Sequence, residues 1–106
     1  MTKEEIYDKQ IAPKLLEIAK ECERYELGVV AAVEYEPFGL GRTVDYPADA
    51  SIAIRMVDWT VQSHGNVDAL IFAMCRWARK YGHQSANLTV LGVPSEPEEV
   101  KTDSTK

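Results

Sequence analysis

Between Pro47 and Gly82 the apolar and polar positions follow two helical rhythms, joined through His64-Gly65-Asn66. Ser51, Arg55, Asp58 and Gln62 recur at steps of four, three and four, which at about 100° per residue makes one narrow polar stripe. Ile52, Ala53, Ile54, Met56, Val57, Trp59 and Val61 fill the rest of the arc, wider than a surface helix needs for one packing partner. A helix over 50–62 covered on two sides is the expectation. A strand is the competing reading because Ile52, Ile54 and Met56 alternate, but Pro47 near the start and Gly65 just past the end suit a helix better.

Asn66 then serves as an N-cap, Asp68 sits at the positive end of the helix dipole, and Gly82 stops the second helix. Val67, Leu70, Ile71, Met74, Trp77, Ala78 and Tyr81 share one face of it. Phe72 falls on the polar side between Asp68 and Arg76/Arg79; burial by another element is expected, and the alternative is an exposed aromatic open to a partner.

Upstream, Thr2-Lys3-Glu4-Glu5 matches a capping box, so a helix begins there. Ile11, Leu15, Ile18, Cys22 and Tyr25 give it an apolar stripe, Pro13 should kink or break it, and Gly28 should end it. Val29 to Tyr35 reads as a strand, and Ser85 to Val93 as a second. A third would come from Arg42-Thr43-Val44-Asp45, folded back after the Pro37 to Gly41 turn, or from another copy of the chain. The pattern predicts one α+β domain over 1–94, in the order α-β-α-α-β, with its helices on one face of a small sheet. Residues 95–106 read as a disordered, polar, acidic tail.

A chain of 106 residues with net charge −5 is one soluble domain without the basic face that nucleic acid requires. It has no run of eighteen apolar residues and no signal-peptide pattern, so a cytoplasmic protein with no membrane contact is expected. Cys22 and Cys75 lie on apolar faces away from any ligand spacing and read as buried free thiols; no motif calls for a metal or cofactor. Arg76, Arg79, Lys80 and His83 form a small basic cluster that caps the negative end of a helix and stays solvated.

The most site-like segment is Pro37-Phe38-Gly39-Leu40-Gly41-Arg42-Thr43. Gly39 and Gly41 would let successive backbone N–H groups converge on an anion, to which Arg42 and Thr43 would add charge and a hydroxyl. A tight turn is the plainer reading of the same residues. His64, His83, Asp45, Asp58, Asp68 and Cys75 form no catalytic spacing. Trp59 and Trp77 are core residues by default, and Trp59, Phe72 and Arg76 are the candidates for an interaction surface.

The stretches Glu34-Tyr35-Glu36-Pro37-Phe38-Gly39-Leu40-Gly41-Arg42-Thr43 and His64-Gly65-Asn66-Val67-Asp68-Ala69-Leu70-Ile71 resemble small uncharacterised proteins encoded by bacteriophages and prophages. The resemblance spans roughly residues 25 to 95, implies a phage accessory role and carries over no catalytic residue. Together these readings favour a non-enzymatic protein that binds a protein partner or forms homo-oligomers. The alternative is a small anion- or nucleotide-binding protein, or a small enzyme, built on Phe38 to Thr43.

Overall fold

A computed structural model describes residues 1–98 and contains mixed helix and strand. Two compact units divide between Asn66 and Val67.

The first unit opens with α1 (Lys3–Ile6), whose capping box is formed: Thr2 Oγ1 accepts the Glu5 N–H at 3.1 Å, and Glu5 Oε1 accepts the Thr2 N–H at 3.1 Å. A π-helical turn (Tyr7–Ile11) leads directly into α2 (Ala12–Arg24). Pro13 therefore does not break the helix. It has no N–H to give and its ring crowds the carbonyl four residues back, and the wider turn just before it, in which the Ala12 N–H reaches back to Tyr7 O, absorbs the mismatch. The helix ends at Arg24, short of Gly28, and Glu26 takes the left-handed conformation (φ 58°) with Leu27 N–H bonded to Cys22 O at 2.8 Å. Its most enclosed position is Ala19, while Ile18 and Tyr25 of the expected stripe are exposed. The period was legible and the phase was not: a small residue lets the helix axis approach the sheet, and larger neighbours turn outward.

β1 (Val29–Glu36) and β2 (Gly39–Asp45) form an antiparallel hairpin, with Val29 opposite Asp45, Val33 opposite Gly41 and a bulge at Tyr35. Arg42 to Asp45 thus belongs to a strand that folds back on β1. Pro37 and Phe38 make the turn, with Phe38 at φ 63°. The helices do not share one face of this sheet. Tyr7 lies on the side to which a Cβ on Gly41 would point, whereas the next residue, Arg42, reaches from the other side to Asp58 on α3 (Ile52–Ser63). The α3 segment is helical, as its polar stripe suggested, and ends with His64 and Gly65 both at positive φ.

The second unit starts with α4 (Val67–Tyr81), stopped by Gly82 at φ 84°. The segment expected to be the last strand is instead α5 (Ala86–Val90), N-capped by Ser85 Oγ, which accepts the Leu88 N–H at 3.2 Å. The alternating Leu88, Thr89, Val90 and Leu91 have strand propensity, but Ser85 supplies a helix start, and Leu88 packs on the cluster of Cys75, Ala78 and Val93. His83 belongs to this fold rather than to a solvated basic patch: its Nδ1 accepts the Ser85 N–H and its Nε2 donates to Val93 O, both at 2.9 Å. Residues 95–98 of the segment expected to be a tail are bonded to the fold: Ser95 O accepts the His83 N–H at 3.1 Å and the Glu98 N–H donates to Arg79 O at 2.8 Å. The remainder of that segment, 99–106, lies outside the described residues. Cys22 and Cys75 are free thiols, Cys75 buried as expected and Cys22 only partly so. No helix among the described residues is long and apolar enough to cross a membrane.

Candidate functional site

In the segment proposed as an anion loop, Gly39, Gly41, Arg42 and Thr43 are strand residues. Successive N–H groups of a strand point to opposite edges, so those of Gly39 to Gly41 do not converge as a nest requires. The glycines have a packing role instead. A Cβ on Gly41 would overlap the ring of Tyr7, and one on Gly39 would crowd Glu36 and Tyr35. Tyr7 is nearly enclosed, and its ring stacks on Tyr35 at 5.8 Å between centroids. Burial, followed by the nearby charges of Glu4, Glu36 and Asp8, raises the Tyr35 pKa and keeps its phenol protonated.

Arg42 is committed as well. Its Nε donates to Asp58 Oδ1 at 2.7 Å, while Asp58 Oδ2 accepts from Gln62 Nε2 at 2.9 Å and from the Tyr46 hydroxyl at 3.2 Å. Arg55 lies over the Tyr46 ring at 5.1 Å and donates to the Ala48 and Ala50 carbonyls. Asp58 is only 2% exposed. Burial alone would push its carboxyl up, but hydrogen bonds from Arg42, Gln62 and Tyr46, together with the Arg42 charge, hold it below the ordinary aspartate value. The same bond to Asp58 raises Arg42. A carboxylate with both oxygens occupied and its proton disfavoured is a clamp between β2 and α3, not an acid or base waiting for substrate.

This clamp rotates α3 away from a simple apolar-inside arrangement. Asp58 of the polar stripe is directed to Tyr46 and Arg42, so part of the apolar arc faces outward, with Ile52, Met56 and Val57 exposed by 42%, 41% and 48%, while Ile54 and Val61 stay half-buried. Sequence periodicity found the stripe and the arc; it missed which of them faces the sheet, because a buried carboxylate needs a cation on a neighbouring strand that only the fold brings close. Trp59 is half-buried beside the stripe. Phe38, at the hairpin tip, is 74% exposed, and a Cβ on Gly65 at the end of α3 would lie 3.4 Å from its ring. In the second unit Phe72 is 63% exposed rather than buried, and Arg76 is exposed one turn along α4.

Only six described side chains are more than nine-tenths enclosed: Tyr7, Ala19, Asp58, Cys75, Ala78 and Val93. Among the described residues no group of three His, Cys, Asp or Glu side chains is placed to hold a metal ion. Comparison with protein-family models, with curated proteins and with solved structures finds no match to this chain.

Proposed function

We propose that this chain is a non-enzymatic interaction protein that binds a protein partner or a second copy of itself, a cytoplasmic accessory factor of the phage or prophage kind its sequence resembles. The outward apolar side of α3 carries the reading. Burial of Asp58 fixes its side of α3 against the sheet and leaves Ile52, Met56 and Val57 outward, where they forgo part of the roughly 1.5–3 kcal/mol that full burial of such a side chain gives. An apolar row on a folded surface is the mark of an interface, and Phe38 at the C-terminal end of the same helix extends it with an aromatic anchor.

The test is sedimentation of the wild type and of Met56→Glu across the micromolar range, with melting temperature and solubility measured alongside. A wild type heavier than its 11.9 kDa monomer, or one whose solubility rises clearly on Met56→Glu, is the expected result. A monomer to several hundred micromolar, with mass, solubility and melting temperature all indifferent to Met56→Glu, overturns the reading.

A further inference from the structure

The two edges of the hairpin differ. β1 carries a bulge at Tyr35 and the exposed carboxylates of Glu34 and Glu36, both of which deter pairing with another strand. β2 has no bulge, proline or lysine, and its cation Arg42 is turned to Asp58. Among the described residues the backbone of 42–45 makes no hydrogen bond outside the ladder with β1. A groove follows this strand, lined by Leu16, Ala19, Lys20 and Glu23 of α2 and by residues 42–45. Consecutive strand residues alternate between the two faces, so a groove that touches four in a row runs along the edge.

We propose that the β2 edge pairs antiparallel with β2 of a second copy, giving a continuous four-stranded sheet about a two-fold axis. The inference rests on the reading of the chain as an interaction protein and assigns a surface other than the outer arc of α3. A second copy is the fitting occupant for three reasons. A two-stranded sheet is marginal and gains most from added strands. An edge strand rotated by a two-fold axis presents its own row of donors and acceptors to itself, so the contact closes without leaving a free edge at the centre. The charges are also self-complementary: an axis perpendicular to the sheet puts both α2 helices on one face and antiparallel, where Lys20 of each copy faces Glu23 of the other.

The charge pattern gives a test that backbone pairing alone would not. Lys20→Glu and Glu23→Lys should each weaken the dimer about tenfold in sedimentation, because each places like charges across the axis twice. An equimolar mixture of the two single variants should recover a heterodimer, and Lys20→Glu/Glu23→Lys in one chain should recover the homodimer. Both residues are exposed, so circular dichroism should be unchanged. A dimer indifferent to all three variants, or single variants that weaken it but fail to rescue each other on mixing, overturns the edge assignment while leaving the interaction reading in place. A wild-type monomer at several hundred micromolar also overturns the edge pairing; the reading itself falls only if Met56→Glu is without effect as well.

Discussion

Arg42 Nε stands 2.7 Å from Asp58 Oδ1, joining the centre of strand β2 to the buried side of α3 across sixteen residues of sequence. The pair converts a residue that sequence suggests for ligand binding into a structural one. Arg42→Ala should therefore unfold the first unit more readily instead of leaving the fold intact. It strands a carboxylate that is 2% exposed with only Tyr46 and Gln62 to answer it. Removing one partner of a buried pair costs roughly 3–5 kcal/mol, and the partial exposure of Arg42 puts the expectation at about 2–3 kcal/mol. Chemical denaturation checks it, and a loss below about 0.5 kcal/mol would mean that the pair is ornamental.

The same carboxylate sets an acid limb. Its folded pKa is lowered, so its stabilisation is fully present above the ordinary aspartate value of about 3.9 and is lost as pH falls through the folded value. Stability of the wild type should drop between about pH 4 and the acid end of the titration. Asp58→Asn should start less stable at neutral pH and show a flatter acid limb. Equal slopes for the two proteins in a pH series of denaturation curves would contradict the assignment.

Gly41→Ala distinguishes packing from anion binding at the hairpin. A methyl there overlaps the Tyr7 ring, so Tyr7 must leave its enclosed position and its stack on Tyr35, at roughly 1–3 kcal/mol. The smaller ring-deleted partner should relieve it: Gly41→Ala in a Tyr7→Ala background should cost clearly less than in the wild type, a coupling that a double-mutant cycle reads directly.

How far the sequence carried the fold depended on how local each cause was. The capping box of Thr2 and Glu5, the stop at Gly82 and the helical period of Ile52–Ser63 and Val67–Tyr81 rest on residues within a turn or two of one another, and these were legible. The burial of Asp58 depends on Arg42 and Tyr46 from outside its helix, and the need for glycine at 41 on a tyrosine at 7; neither is visible in any short window. Val90 and Leu91 suggested a strand, and the Ser85 cap with packing of Leu88 against Cys75, Ala78 and Val93 decided for helix. Exposure of Phe72 was missed for the opposite reason: periodicity placed it correctly on the polar side, and the expectation of a covering element was added without a residue to supply it.

Truncation should locate the functional end of the second unit. Cutting after Pro94 removes the Ser95 carbonyl that accepts the His83 N–H and the Glu98 N–H that donates to Arg79 O. At about 1 kcal/mol per hydrogen bond, a lower melting temperature by several degrees is expected. Cutting after Glu98 retains both bonds and should leave the melting temperature within about a degree of the full chain. Equal melting temperatures for the two truncations would show that neither bond matters.

Phe38 separates stability from association. Its φ of 63° lies in the left-handed region, which a bulky L-residue occupies at about 1 kcal/mol or more, and with 74% of its surface exposed it gains little burial in return. Following Pro37, it holds the turn position at which glycine or asparagine is usual. Phe38→Asn should accordingly leave the monomer as stable as the wild type or up to about 1 kcal/mol more so, since asparagine tolerates that conformation. If strain is kept at the hairpin tip for the sake of an aromatic anchor beside the end of α3, the same substitution should weaken association at least fivefold in sedimentation. A substitution that destabilises the monomer instead would place the Phe38 ring in the packing against Gly65, and one that leaves association untouched would remove Phe38 from the interface while the outer arc of α3 remains to be judged by Met56→Glu.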